Sequence, residues 1–168
     1  MLYIQKMSNG KEKVINLVDF KPLLINKNRL MCLDLGKKRI GISISTSNFY
    51  EALPLRTVAG DRFSDLLDTL NQLIKEYNII GIIFGMPFNM DGTEGKSAQS
   101  VKDKASKIGE ELNLNYAFWD ERLSTVAIER LYKKPEKSRS KKKSDKKDID
   151  NLASAFILEG ALNYIMRH

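Results

Sequence analysis

Apolar positions along the chain fall into short continuous or alternating runs and into helical stripes, and their order predicts an architecture. Leu30-Met31-Cys32-Leu33 is continuously apolar and ends at Asp34, with Gly36 two residues on. Ile40-Gly41-Ile42-Ser43-Ile44-Ser45-Thr46 then alternates with a period of two. This predicts a central strand that delivers Asp34 to its end, a turn, and an antiparallel partner strand. Gly36 is expected to supply a positive φ, and Gly41 to let something approach the backbone closely. Residues 52–58 read as a third strand, placed at a sheet edge by Pro54. Gly60-Asp61 opens a helix with Asp61 as its expected N-cap. Phe63, Leu66, Leu67, Leu70, Leu73, Ile74 and Tyr77 form the core-facing stripe of that helix.

Residues 79–84 are continuously apolar, the mark of a parallel strand buried on both faces. They lead into Gly85-Met86-Pro87-Phe88-Asn89-Met90-Asp91-Gly92-Thr93-Glu94-Gly95. Open α/β sheets bind ligands at the carboxyl ends of their strands, and glycine-rich backbone there can cradle a phosphate with free N–H groups. A helix over 97–112, with Val101, Ala105, Ile108 and Leu112 as its buried stripe, adds its positive end. Asn115 to Trp119 repeats the opening design, an apolar strand running into the acids Asp120 and Glu121. Arg122 follows, and Ser124 or Thr125 can cap a helix through Val126, Ile128, Leu131 and Tyr132. The last helix is expected to bury Ile149, Leu152, Ala153, Phe156, Gly160 and Tyr164, with Asp150 in its first turn. Ala153 and Ser154 beside that acid leave room for a bulky partner.

Length and charge sharpen this picture. A chain of 168 residues supports one sizeable core. Residues 1–28 read as an N-terminal extension that adds a short strand or drapes across the core, and 29–168 as the domain proper. The single cysteine, Cys32, lies in an apolar strand, so no intramolecular disulfide forms and a reduced setting is expected. Residues 1–20 lack the features of a secretory signal and no apolar run spans a bilayer, so the cytoplasm is the expected compartment and no membrane partner is expected. Net charge is +7, yet residues 133–147 hold nine basic side chains against Glu136 and Asp145, leaving the rest near neutral. Such a patch, which includes Lys141, Lys142 and Lys143, suits a polyanion through counterion release, or serves as a solvated loop.

Three carboxylate positions thus stand at the ends of separate elements: Asp34, Asp120-Glu121 and Asp150. Each has a structural alternative. Asp34 suits a turn, Arg122 can pair the two strand-end acids, and Asp150 can answer the helix dipole. His168 is the only histidine, and neither a Gly-x-x-x-x-Gly-Lys-Ser/Thr loop nor a Gly-x-Gly-x-x-Gly fingerprint is present. Oxygen-only ligands favour Mg²⁺ or Mn²⁺. Two such ions about 4 Å apart stabilise both the attacking and the leaving oxygen of a phosphodiester displacement.

Four blocks, Asp34-Leu-Gly-Lys-Lys-Arg39-Ile-Gly41, Gly85 to Gly95, Asp120-Glu121-Arg122-Leu-Ser-Thr125 and Ile149-Asp150-Asn-Leu-Ala153, resemble the YqgF/RuvX family of small bacterial ribonuclease-H-like nucleases. The resemblance runs in order over residues 30–165. It implies an α/β, ribonuclease-H-like fold: a mixed five-stranded sheet, three antiparallel strands and then parallel ones, flanked by helices. It also implies an endonuclease maturing the 5′ end of pre-16S ribosomal RNA, with a pre-ribosomal particle as a further partner, or a Holliday-junction resolvase acting on branched DNA. Carried over by position, Asp34, Glu121 and Asp150 form the acidic two-metal site, with Asp120 supporting or replacing Glu121. Arg39, Gly85, Asn89, Asp91, Gly92 and Arg122 would fall on the nucleic-acid side; the lysine-rich segment departs from the family pattern, and its charge places Lys141, Lys142 and Lys143 there. Two other classes compete. One is a ribosome-assembly factor that binds RNA without turnover. The other is a sugar-kinase-like ATPase, which shares Asp-x-Gly-x-x-x-x-Gly but needs two such domains.

Overall fold

The computed structural model describes residues 13–25, 27–89, 91–120 and 146–168, with the backbone alone at 146–151. A 3-10 helix, Leu17–Leu23, precedes β1 (Arg29–Leu35), β2 (Arg39–Ser45), β3 (Ala52–Ala59), α1 (Phe63–Tyr77), β4 (Ile79–Met86), α2 (Lys96–Leu112), β5 (Asn115–Asp120) and α3 (Lys146–Arg167). The sheet runs β3-β2-β1-β4-β5. β2 is antiparallel to both β1 and β3, whereas β4 is parallel to both β1 and β5. This is the expected mixed sheet, with β1 central and the Pro54 strand at the edge. The expected helix through Val126 to Tyr132 lies outside the described residues.

Both faces of the sheet are covered, which is why β1 and β4 are apolar without alternation. On one face Met31, Leu33, Ile40, Ile42, Ile44 and Phe84 pack beneath Leu66, Leu70 and Leu73 of α1 and Val101, Ala105 and Ile108 of α2. On the other, Leu30, Cys32, Ile83, Ala117 and Trp119 meet Phe20 and the helix α3. Cys32 is fully buried, as a small hydrophobe should be.

Three local expectations change. Gly36 does not occupy positive φ; among the described glycines only Gly92 does, at 86°. Gly36 is required for space instead, since a Cβ there would sit 2.5 Å from the Arg39 carbonyl oxygen. The helix α1 is capped by Arg62 rather than Asp61, whose Oδ1 accepts the Arg62 N–H at 3.1 Å. The third change is the phase of α3. Its buried residues are Ser154, Ala155, Ile157, Leu158, Ala161, Leu162 and Ile165, while Leu152 and Tyr164 of the expected stripe are exposed. This helix is apolar nearly all round, so periodicity alone cannot set its rotation.

The segment before β1 is woven into the fold. The Ile15 N–H donates to the Tyr116 carbonyl at 2.9 Å and the Tyr116 N–H to the Lys13 carbonyl at 2.8 Å, in a parallel bridge at Val14. That contact covers the open edge of β5. Phe20 is fully buried, and a Cβ at Gly81 would fall 2.1 Å from its Cε1. Among its described residues, the segment bridges to β5 at Val14 and buries Phe20 in the core. Gly81→Ala should therefore cost about 1–3 kcal/mol, read by thermal or urea unfolding. In a Phe20→Leu background the cost should shrink; strict additivity would show that the two positions do not touch.

Candidate active site

The site is built by sheet register. Asp34, the penultimate residue of β1, lies directly opposite Gly41 on β2. On its other side Leu33 pairs with Phe84, which brings Gly85 alongside Asp34. The half-buried carboxylate thus stands between two residues with no side chain, in the middle of the sheet and at the carboxyl ends of β1 and β4. Gly85 in turn pairs with Trp119, and Met86 with Asp120. Both acid-bearing strands consequently end at the same edge, as the pattern of apolar runs predicts.

Alternation along the strands then separates the two carboxylates. Asp34 follows Leu30 and Cys32 in step and belongs to the face covered by α3. Asp120 follows Tyr116 and Phe118 and belongs to the face covered by α1 and α2. Sequence could not reveal this, because Tyr116-Ala117-Phe118-Trp119 is apolar throughout and hides its own parity. Position 150 lies in α3 one turn before the buried Ser154, and α3 packs across β1, β2 and β3 on the Asp34 face. Glu121, Arg122, Lys141, Lys142 and Lys143 lie outside the described residues, as does the Asp150 side chain. Among the described residues no three acidic, cysteine or histidine groups gather as a metal site.

Trp119 determines how α3 sits. A Cβ at Gly160 would be 2.9 Å from the Trp119 Cζ2 and Nε1, so only glycine lets the helix lie this close. Tyr164, one turn on, places its ring 5.9 Å from that of Trp119. The single tryptophan escaped the sequence reading as a seat for the last helix; an aromatic at a strand end with a glycine in the apolar helix was the available signal.

The glycine-rich loop is a self-closed hairpin. Phe88 and Glu94 form an antiparallel bridge, and the Asn89 N–H donates to the Thr93 carbonyl at 2.9 Å. The Gly92 N–H donates to the Asn89 carbonyl, and the Thr93 N–H and hydroxyl both donate to Asp91 Oδ1. Asn89 Nδ2 donates to Thr93 Oγ1 at 2.9 Å. These amides are bonded within the loop, so the phosphate cradle of free N–H groups expected from glycine content is not formed by them. What the hairpin offers instead is the exposed side chains of a braced tip. Lys102 of α2 anchors its base through both Glu94 carboxylate oxygens, at 2.7 and 2.6 Å. Thr93 went unnoticed in the sequence, although Asp-Gly-Thr is an Asx-turn pattern. Arg39 opens β2 half-buried, beside the exposed Lys37 and Lys38 of the turn.

A family model described as "RuvX: Holliday junction resolvase" matches residues 28–164. A relative from Pelagibacter ubique that bears the name "Putative pre-16S rRNA nuclease" is 45% identical over 152 residues, 90% of this chain and 99% of its own. One of the same name from Rhodobacter capsulatus is 41% identical over 145 residues, 86% of this chain and 89% of its own. Among solved structures, Thermus thermophilus RuvC aligns with a TM-score of 0.51 at 10% identity, covering 83% of this chain and 96% of that one. The yeast mitochondrial Holliday junction resolvase Ydc2 aligns with a TM-score of 0.51 at 14% identity, covering 90% and 83%. At these identities the two structures establish the ribonuclease-H-like resolvase fold.

The seating of α3 makes a checkable demand. Gly160→Ala should destabilise the chain by about 1–3 kcal/mol and shift the emission of Trp119, the only tryptophan. Urea unfolding followed at that fluorophore measures both; an unchanged midpoint and spectrum would mean that the helix does not rest on the indole.

Proposed function

The chain belongs to the RuvX family, and from that membership we propose an endonuclease that depends on Mg²⁺ or Mn²⁺ and trims the 5′ end of pre-16S ribosomal RNA. The observation that carries the reading is the setting of Asp34, at a strand end between Gly41 and Gly85 and on the face that α3 covers. Oxygen donors suit a hard divalent cation, and neighbours without side chains leave room beside the carboxylate for an ion and a phosphate. Asp34, Glu121 and Asp150 would hold the metal. When bound, such ions stabilise charge on the attacking and leaving oxygens of a phosphodiester.

The remaining roles fall to the chain's own groups. Glu121 is preferred to Asp120 as ligand because Asp120 alternates onto the opposite face of the sheet. Arg39 and Arg122 would neutralise the scissile phosphate. Gly85, Asn89, Asp91 and Gly92 would border the strand, the hairpin tip supplying side-chain contacts and Gly85 a close backbone approach. Lys141, Lys142 and Lys143 would grip phosphates without reading sequence. No helix among the described residues is long and apolar enough to cross a membrane. Action on a ribosomal RNA precursor, free or within a pre-ribosomal particle, would place the protein in the cytoplasm. The description of the family model favours one second reading, resolution of four-way DNA junctions.

Purified protein with Mn²⁺ should cut precursor 16S RNA on the 5′ side of the mature end and leave a four-way DNA junction intact; symmetric junction cuts with no RNA cleavage would reverse the choice. Asp34→Asn should abolish cleavage and the thermal stabilisation given by Mn²⁺, without unfolding the chain, since neutralising one clustered acid relieves repulsion. Asp120→Asn should retain the Mn²⁺ stabilisation. If Asp120→Asn loses it and Asp34→Asn does not, the metal is held on the other face.

Replacing Lys141, Lys142 and Lys143 with Ala should weaken RNA and DNA binding alike. The slope of log K against log salt should fall by up to about 3 if all three contact phosphates. An unaltered slope would leave this segment without a binding role.

A further inference from the structure

A second nucleic-acid contact is indicated on the α3 face, away from the acids. Three aromatic rings follow one another outward from the row of Asp34. Trp119 occupies that row, since Asp34 lies beside Gly85 and Gly85 pairs with Trp119. Neighbouring strands are about 4.8 Å apart, so Trp119 stands roughly 10 Å from Asp34 across the sheet. The Tyr164 ring is 5.9 Å from Trp119, and the His168 ring stacks on Tyr164 at 4.4 Å with an interplanar angle of 25°. Trp119 is nearly buried, Tyr164 is 41% exposed and His168 is exposed. A second hold on this end of the helix comes from His168, whose N–H donates to the Tyr164 carbonyl at 3.3 Å. The rings therefore sit on a helix end, not on a loop.

Charge supports one kind of occupant. Lys21 of the 3-10 helix reaches this end of α3, donating to the Met166 carbonyl at 3.3 Å, and Arg167 lies exposed in the last turn. A stacked, solvent-facing aromatic pair bordered by two cations matches an unpaired base with its flanking phosphates, the combination by which single strands are held without sequence preference. An apolar protein partner would match the rings and leave the cations idle.

We propose that Tyr164 and His168 form a stacking platform for an unpaired base of the substrate strand, with Lys21 and Arg167 contacting the adjacent phosphates. This rests on the nucleic-acid reading above and adds to it a single-stranded segment, held to one side of the cleavage point. A duplex keeps its bases stacked on one another and could not use the platform.

Trp119 provides the readout, because it is the only tryptophan and touches Tyr164. A short oligouridylate titrated into the full chain should quench or shift its emission, and the same oligomer made abasic should do so far less. Tyr164→Leu, which keeps an apolar side chain against Trp119, should weaken oligouridylate binding by about fivefold to a hundredfold, the range for one base–aromatic stack. Tyr164→Phe should restore it, and His168→Ala, at an exposed position, gives an independent loss that does not disturb the core. Binding of a fully paired RNA should change little in all three. Equal affinity of wild type, Tyr164→Leu and His168→Ala for oligouridylate would overturn the platform while leaving the nuclease reading intact. Absence of any RNA or DNA binding by the wild type would overturn both. A wild type that sediments as a dimer and becomes monomeric on Tyr164→Leu would make this face a protein interface and sink the proposal.

Discussion

The parallel pairing of β1 with β4 is the contact on which the rest of the structure depends. It places a strand buried on both faces at the centre of the sheet, and the acid that terminates the strand comes with it. Because side chains alternate with a period of two, a slip of one residue would carry Asp34 to the α1 and α2 face and drive Met31 and Leu33 under α3. Full burial of Leu30, Met31, Cys32 and Leu33 opposes that slip, since every one of them would have to exchange partners. Core packing thus fixes the position of a polar group that contributes nothing to the core. Gly41 and Gly85 are the counterpart: a β-branched residue at either would pair better in a strand, but would fill the space beside the carboxylate.

The order of elements was legible because each block carries a different period. Buried strands read as unbroken apolar runs, the hairpin partner as strict alternation, and α1 and α2 as clean stripes with polar outer faces. Legibility failed where a pattern was degenerate. In α3, apolar residues surround the axis, and the buried face combines small Ser154, Ala155 and Ala161 with Ile157, Leu158, Leu162 and Ile165. At β5 four consecutive apolar residues erase parity, so which face Asp120 occupies emerged only from the register with β4. At Gly36 the residue type was informative but the cause was not: glycine signals either a special φ or a lack of space, and here the Arg39 carbonyl decides. The hairpin between β4 and α2 shows the same limit from another side. Its glycines and acids announced a special loop, while the pairing of Asn89, Asp91 and Thr93 with one another depends on a fold-back that composition does not encode.

The two faces of the sheet are built for different tasks. Under α1 and α2, Phe84, Tyr116 and Phe118 pack edge to face or tilted against one another, beside the small buried Ala98 and Ala105 of α2. Among the described residues no polar side chain is fully buried on this face. Under α3 the sheet presents Ser43 and Ser45, both fully buried. Ser45 Oγ accepts the Leu30 N–H at 3.0 Å, whereas Ser43 Oγ has no hydrogen-bond partner among the described residues. An unsatisfied buried hydroxyl costs about 1–3 kcal/mol, a penalty that Ala or Val at this position of β2 would avoid. The less economical face is also the one that carries Asp34.

The close seating of α3 constrains how position 150 can be brought near Asp34. A helix held off the sheet by large side chains keeps two short acids too far apart to share a ligand unless both side chains reach inward. Small residues shorten the gap. Gly160 rests on the Trp119 indole, toward the N-terminal half Ser154 and Ala155 are also buried small residues, and the helix as a whole packs against β1, β2 and β3. The seat and the acid therefore lie at opposite ends of one rigid lever: ten residues of α-helix separate 160 from 150, about 15 Å at 1.5 Å per residue. A tilt at the indole would be amplified along that length. The packing of a tryptophan against a glycine is thus tied to the position of residue 150 along the same helix, which gives the aromatic end of the helix a geometric role at the other end.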